Sequence, residues 1–402
     1  MRQKNCLIVT THYRPLIGGA LTVYDALASN GAGSISVLTA SEDYTTGAEV
    51  VGWQAFDAGS SYKITRVTEM RPRILPVGTG FLGKLLAHLK ARFLQRKVLS
   101  KTLKLIEADQ IDIVCIGAQD ALGWMVAPLQ KYSAAKVIIY VHGEEVSQSA
   151  YSEKAEDARR AALNSADGLV AVSRFTATLL HEKYGVPAGR ITLQNNGVDL
   201  GKYSGKSPAA DRKKIGLPEG CFVFACGRLV ERKGFDRLVE AWPTVVKGRS
   251  EAMLVIGGGG PLETSLKSKI EALNIRDSVC MPGWMSEDQL IAAYGLADVF
   301  TMPNRTMPDG DTEGFGLVFL EAAAMGTPSV GGRAGGAVDA VIEGETGLLV
   351  DGNSSEEIAE ALLRLLGDDD LRCKMAKRAQ EHAQTQGWKT KTGEFLRYLQ
   401  SL

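Results

Sequence analysis

Two doubly wound α/β domains in series are what this 402-residue chain predicts, and three observations predict them. Short runs of Val, Ile and Leu bounded by Gly, Asn or Asp recur between stretches of helical period. Such runs read as strands buried on both faces, the mark of a parallel sheet covered by helices. The alternation starts again past a turn-rich segment at 191–220, and 45% apolar against 23% charged residues supplies cores for two domains of ordinary size.

Taken in order, the first domain's strands are CLIVT from Cys6, ISVLT from Ile35, IDIVCIG from Ile111, KVIIYVHG from Lys136 and GLVAVS from Gly168. The second domain's are CFVFACGRL from Cys221, AMLVIGGGG from Ala252, SVCMPGW from Ser278, ADVFTMP from Ala297 and TPSVGG from Thr327. Between them the segment holding Asn195, Asn196, Gly197, Gly201, Gly205 and Pro208 sets the boundary, giving domains 1–196 and 197–387. The last stretch, about 388–402, spaces Phe395, Leu396, Leu399 and Leu402 as a helix and is expected to cross back to the first domain. Ligands of doubly wound sheets bind beyond the carboxyl ends of the strands. Two Rossmann-like domains facing across a cleft would aim those loops into it.

Lys plus Arg equals Asp plus Glu at 46 each, so the overall charge gives no reason to expect nucleic acid. The six cysteines form no C-x-x-C pair and read as small buried hydrophobes in a reducing compartment. MRQKNCLIVTTHY is no secretory leader, and no window reaches the roughly 18 apolar residues of a membrane span. The expected protein is cytoplasmic, either soluble or peripheral.

The residues that carry chemistry fall at strand ends. GRLVERKGFDRLVEA places Arg228 and Lys233 beside Gly234 and a helix start, where two cations, free N–H groups and the helix dipole suit a diphosphate; the alternative is a solvated charge run with Glu231, Arg232 and Asp236. EGFGLVFLE holds Glu313 in a Gly loop and Glu321 inside an apolar helix. Gly314 and Gly316 let backbone N–H groups approach an anion or a sugar hydroxyl. A carboxylate in LVFLEAAAM is costly unless hydrogen-bonded, so Glu321 either binds a vicinal diol such as a ribose or caps a neighbouring loop.

Gly18 and Gly19 form a turn before a helix, where amides can approach a phosphate, without completing G-x-G-x-x-G. His142 closes KVIIYV beside Glu144 and Glu145, and that position favours a role in a pocket. His12 lies near the Gly turn, whereas His88, His181 and His382 fall on helical stretches. Asp309 and Asp311 form a D-x-D pair, but Arg228 and Lys233 could already neutralise a diphosphate, so neither a metal nor any other cofactor is expected. Gly257–Gly260 reads as a turn, and Asp368–Asp370 as a solvated run. Positions 71–106 lack Asp and Glu but carry Arg71, Arg73, Lys84, Lys90, Arg92, Arg96, Lys97, Lys101 and Lys104, with Leu82, Leu85, Leu86, Leu89, Phe93 and Leu94 at helical spacing. This helix either lies on an anionic membrane surface or packs on the sheet with a solvated basic face.

Together GRLVERKG, EGFGLVFLE, the later AGG turn and the early PLIGG loop resemble glycosyltransferase family four, retaining enzymes of the GT-B fold, over nearly the whole chain. The resemblance implies transfer of a hexose from a nucleotide diphosphate sugar to an acceptor held by the first domain. In it Arg228 and Lys233 hold the diphosphate and Glu321 the ribose. Glu313, with the backbone of Gly314, Phe315, Gly316 and Leu317, meets the sugar; His142 faces sugar and acceptor; Gly18 and Gly19 close over the phosphates. Met281–Gly283 would read the base. MPNRT and the basic helix look similar to the lipid-acceptor mannosyltransferases, which favours GDP-mannose over UDP-glucose or UDP-GlcNAc and a lipid-linked or glycan acceptor, at the inner membrane face. A sugar nucleotide epimerase and a non-catalytic nucleotide-sugar sensor are the competing readings.

Overall fold

The computed structural model describes residues 2–72, 80–204, 212 and 216–402, the side chains of Phe81, Leu82, Lys84 and Leu85 excepted. Arg73, Gly205 and Pro208, and those side chains, therefore lie outside the described residues. The chain divides into two compact units: Met1–Val172 with Thr176–Gln194 and Lys391–Leu402, and Ser173–Phe175 with Asn195–Thr390. Against the sequence-derived limits, Asn195, Asn196 and Trp388–Thr390 go with the second unit, as does the short excursion Ser173–Phe175.

Among the described residues the first unit has a seven-stranded sheet built from β1 (Cys6–Val9), β2 (Ile35–Ala40), β3 (Ile64–Val67), β4 (Ile113–Ile116), β5 (Lys136–Val141), β6 (Gly168–Ala171) and β7 (Ile191–Leu193), in the order β3-β2-β1-β4-β5-β6-β7. Every pairing is parallel, with Cys6 opposite Ile35 on one side and Ile113 on the other. β1 and β4 sit at the middle and are buried throughout, as their unbroken apolar runs require. The second unit has a six-stranded parallel sheet of β8 (Phe222–Cys226), β9 (Met253–Gly257), β10 (Val279–Gly283), β11 (Val299–Met302), β12 (Ser329–Gly332) and β13 (Gly347–Val350), ordered β10-β9-β8-β11-β12-β13. Both are doubly wound, Rossmann-like domains.

The helices that matter for function are α1 (Gly19–Ser29) and α2 (Phe81–Ala108) in the first unit, and α3 (Phe235–Gly248), α4 (Glu287–Leu296) and α5 (Leu317–Ala324) in the second. The last helix, α6 (Trp388–Ser401), gives Phe395 and Leu399 to the first unit's core. There Phe395 meets Tyr140 edge-on and Gln194 donates to the Lys391 carbonyl. α2 is fastened to the sheet by Leu94, Val98 and Leu105, with Thr102 buried on the same side. No helix among the described residues is long and apolar enough to cross a membrane. The cysteines are all free; Cys6, Cys115 and Cys226 are buried as expected, but Cys373 is exposed on a helix.

Candidate functional site

In the second unit β8 ends at Cys226, and the next three residues are clamped by the Gly-rich turn after β9. Gly227 N–H donates to the Gly257 carbonyl at 3.1 Å and Leu229 N–H to that of Gly259 at 2.9 Å. A Cβ at Gly258 (φ +121°) would lie 2.1 Å from the Gly227 carbonyl oxygen. The four glycines read from sequence as a simple turn are thus the surface that shapes the Arg228 loop. A short 3-10 turn, Glu231–Lys233, follows, and Gly234 (φ +73°) opens α3 with its Cα pressed on Pro303: a Cβ there would stand 2.0 Å from the Pro303 carbonyl oxygen.

That turn delivers Lys233 inward. Its Nζ lies 2.7 Å from Glu313 Oε2 and 3.3 Å from Met302 Sδ, and both partners of the ion pair are largely buried. Arg232, 6% exposed, faces Asp311 at 3.3 Å, and Arg305 N–H donates to the Arg232 carbonyl. Arg305 itself forms a two-pronged pair with Asp236 at 2.9 and 3.0 Å, and Asn304 bridges to Gly332 N–H and the Ala334 carbonyl. MPNRT is therefore a brace that ties the start of α3 to the β12 side of the site. Arg228 stands exposed at the strand end.

Glu313 is positioned from the other side by the AGG turn: Gly336 N–H donates to its carbonyl at 2.7 Å, and a Cβ at Gly336 would meet the Gly314 carbonyl oxygen at 1.9 Å. Gly316 (φ +88°) caps α5, against whose Phe319 ring a Cβ would collide at 2.7 Å. Burial alone pushes the Glu313 carboxyl up, but Lys233, then Arg232, with Arg228 beyond, outweigh it and hold it below the ordinary range. It is an anion embedded in cations. Glu321 goes the other way: burial prevails over its donors and raises it.

The donors to Glu321 were not legible in the sequence. Tyr294 O–H, on α4, donates to Oε2 at 2.8 Å, which leaves its oxygen to accept from the Cys226 thiol 3.1 Å away; burial keeps that thiol protonated, up at about 12. Tyr203 turns towards the same carboxylate and meets Tyr294 edge-on. The partner of Glu321 is thus a tyrosine hydroxyl rather than a loop backbone. Asp311, in the D-x-D pair, is engaged by Arg232, its own N–H bonding Asp309 as a turn does. Among the described residues no group of three His, Cys, Asp or Glu is placed to hold a metal ion.

In the first unit His142 follows β5. Its backbone N–H donates to Glu145 Oε1 at 2.7 Å, and its Nε2 lies 2.7 Å from the Tyr24 hydroxyl. That hydroxyl has one proton, given to the Gly117 carbonyl at 2.6 Å, so His142 Nε2 must donate and Nδ1 is left to accept. A Cβ at Gly117 would meet the Tyr24 ring at 2.6 Å. Burial pushes His142 down to about 4 and Glu145 up to about 7, so the imidazole is neutral. Gly18 caps α1 in an extended conformation, and neither it nor Gly19 is hemmed in: a Cβ would meet Leu21 at 3.5 Å in one case and nothing within 4 Å in the other. His12 stacks on Tyr44 at 4.3 Å and faces Asp43, while the Arg71 guanidinium lies over the Tyr44 ring at 4.2 Å.

The structure thus gathers Arg228, Lys233, Glu313 and Glu321, with Gly314, Phe315, Gly316 and Leu317 between the two acids, at the carboxyl ends of the second unit's strands. His142, Gly18 and Gly19 hold the same positions in the first unit. Sequence reasoning missed Arg232, Tyr294, Tyr203, Cys226, Tyr24 and Gly117, most of which look like ordinary core residues in a linear reading. A groove of about 630 Å³ beside Leu99, Leu103, Lys104 and Tyr132 lies at the opposite, amino-terminal end of the first sheet. It has none of these groups.

Two family models match: "Glycosyltransferase Family 4" over residues 35–202 and "Glycosyl transferases group 1" over 209–382. A GDP-mannose-dependent alpha-(1-6)-phosphatidylinositol monomannoside mannosyltransferase of Mycobacterium tuberculosis is 36% identical over 302 residues, 73% of this chain and 78% of that one. A GDP-mannose-dependent monoacylated alpha-(1-6)-phosphatidylinositol monomannoside mannosyltransferase of Corynebacterium glutamicum is 30% identical over 99% of this chain and 98% of that one. The crystal structure of Anabaena HepE in complex with UDP and glucose superposes with a TM-score of 0.77 at 20% identity, covering 99% of this chain and all of the other.

Proposed function

The chain belongs to the family 4 glycosyltransferases, enzymes of the GT-B fold that use a nucleotide sugar, and from that premise we propose that it moves mannose from GDP-mannose to a lipid-linked acceptor, with retention and without a metal ion. The observation that carries the chemistry is the buried Lys233–Glu313 pair flanked by Arg228 and Glu321. As the bond from the sugar to the diphosphate stretches, negative charge grows on the leaving group. Lys233 and Arg228 stabilise that charge more in the transition state than in the ground state. Glu313 keeps Lys233 in place and, with the N–H groups of Gly314–Leu317, is the group for the sugar hydroxyls. Glu321, one oxygen already supplied by Tyr294, takes the ribose diol with the other.

His142, neutral and with Nδ1 free of protons, accepts a hydrogen bond from a hydroxyl of sugar or acceptor. Gly18 and Gly19 offer the first amides of α1 to a phosphate. In this reading the acceptor proton passes to the leaving phosphate on the face it vacates, which gives retention without a covalent nucleophile. The names of the relatives support mannose, guanine and a phosphatidylinositol-type acceptor, and an enzyme working on such a lipid acts at the inner membrane face. Transferase relatives along the whole chain leave the epimerase and sensor readings without a supporting observation.

The test is transfer by the purified protein from GDP-mannose, UDP-glucose or UDP-GlcNAc to a phosphatidylinositol mannoside, with and without EDTA. The reading expects GDP release and an α-linked mannolipid, unchanged by the chelator. Turnover only with a UDP-sugar, a β-linked product or loss of activity in EDTA would each overturn its part of the proposal.

A further inference from the structure

Backbone bonds tie the carboxyl ends of β8, β9 and β10 to one another. Gly227 N–H donates to the Gly257 carbonyl at 3.1 Å, and Gly258 N–H to the Gly283 carbonyl at 2.7 Å. β8 carries the Arg228 loop, so the end of β10 stands two strand spacings from it, roughly 10 Å away. The backbone along this step is bare: among the described residues nothing lies within 4 Å of where a Cβ would stand at Gly259 or Gly283.

Trp284 follows directly. It is 70% exposed, whereas Trp242 and Trp388 are buried and Trp53 and Trp124 half-buried. A loose loop does not account for this exposure, because the chain is pinned on both sides. Before it, the Gly283 carbonyl is held by Gly258. After it, Met285 is buried with its Sδ pressed on Gly257, where a Cβ would stand 2.5 Å away. Ser286 then closes the capping box of α4: its N–H donates to Gln289 Oε1 at 2.8 Å, and its Oγ accepts from Gln289 N–H at 3.3 Å. A single exposed leucine on a surface needs no account. An indole is different, since a fixed backbone here holds a large flat apolar face out to water at the edge where doubly wound sheets bind ligands.

The neighbours give that face its ligand. The turn at Trp284 opens α4, and α4 carries Tyr294, whose hydroxyl donates to Glu321 and meets the Cys226 thiol at the end of β8. Glu321, the ribose group of the proposed reading, is thereby held between α4 and β8. The diphosphate cations after β8, the ribose carboxylate and the indole after β10 thus follow the order of phosphate, ribose and base. We propose that Trp284 is a stacking platform for the donor's nucleobase and makes the site prefer a purine to a pyrimidine. Stacking grows with the ring area covered, and a bicyclic purine covers more of an indole than a single ring does. It reads the face of a base and not its edge, so guanine and adenine gain alike. The inference rests on the second unit being the donor-binding unit and adds the residue that selects ring size there.

Titration of the whole protein with nucleotides, followed by tryptophan fluorescence and by calorimetry, tests it. GDP and ADP should quench the emission of the exposed indole. In W284A the quench should vanish, with calorimetry still detecting GDP at an affinity about tenfold to a hundredfold lower. UDP should lose less than GDP, so the purine preference narrows, and W284F should recover part of the GDP affinity that W284L does not. Inorganic diphosphate has no base and competes for Arg228 and Lys233, so it should bind W284A and the unsubstituted protein alike; the melting temperatures should also agree, because the side chain faces water. These two readouts separate a lost platform from a distorted site. GDP affinity unchanged in W284A, an equal loss for inorganic diphosphate, or an equal loss for UDP would overturn the proposal. Failure of the unsubstituted protein to bind any nucleotide would sink the donor reading and the platform with it, whereas GDP binding that W284A leaves intact sinks the platform alone.

Discussion

Lys233 and Glu313 form a pair in which neither charge is spare: the lysine makes the buried carboxylate tolerable, and the carboxylate fixes the ammonium. Lys233→Ala should therefore lower kcat for transfer by about two to three powers of ten, with a smaller change in donor affinity; near-normal turnover would remove it from the chemistry. Glu321→Ala acts on binding instead, and calorimetry with GDP should show affinity reduced by about tenfold or more, as for a lost hydrogen bond to a charged group. At His142 the opposed shifts have a sign that can be checked. Folded His142 refuses a proton the unfolded chain takes, so its contribution is lost as pH falls from about 6.5 to about 4; folded Glu145 keeps a proton the unfolded chain gives up, so its contribution is lost as pH rises from about 4.5 to about 7. Glu145→Gln removes only the second. The stability of this variant minus that of the unsubstituted protein should increase between pH 4.5 and 7 in urea titrations, and a flat difference would refute the raised carboxyl.

Elements differ in how plainly they announce themselves. The central strands β1, β4, β5, β8 and β11 were legible because burial on both faces demands unbroken apolar runs. The three strands missed, β3, β7 and β13, are all sheet edges: ITRV and ITL are short and half-exposed, and GLLV is too short for periodicity to separate strand from helix. The acids of EGFGLVFLE and the cations of GRLVERKG were legible because charge beside a Gly turn at a strand end is out of place in a core. Tyr294, Tyr203 and Cys226 were not, because in a linear reading a tyrosine that donates a hydrogen bond to a carboxylate looks like one that fills a gap. Glycines carry the least information in sequence and the most in the element: Gly234 and Gly258 each leave no room for a methyl group and hold φ above zero. Gly234→Ala should cost about 2–4 kcal/mol in urea unfolding and lower transfer as well, since the displaced turn carries Lys233. Gly19→Ala, with nothing within 4 Å, should leave stability within about 1 kcal/mol; a large loss there would mean that the turn before α1 is held by more than its observed bonds.

For the whole molecule, the chain passes from the first unit to the second at Gln194–Asn195 and back inside α6, after the short excursion of Ser173–Phe175. Arg228, Lys233, Glu313 and Glu321, with Arg232 and the tyrosines behind them, all belong to the second unit, so the proposed donor site draws most of its side chains from that unit. A nucleotide at about 100 times its dissociation constant adds about 2.7 kcal/mol to whatever it binds, and hydrogen exchange shows where. With GDP, slowed exchange is expected in the loop after β8, at the start of α3 and from Glu313 to Glu321, while the amides of β1, β4 and β5 keep their free-protein rates. UDP at equal concentration should protect less if guanine is the base. Equal protection by both would mean that recognition rests on ribose and diphosphate alone, and that donor identity is decided at the sugar; protection confined to the first unit would remove the four-residue cluster from donor binding altogether.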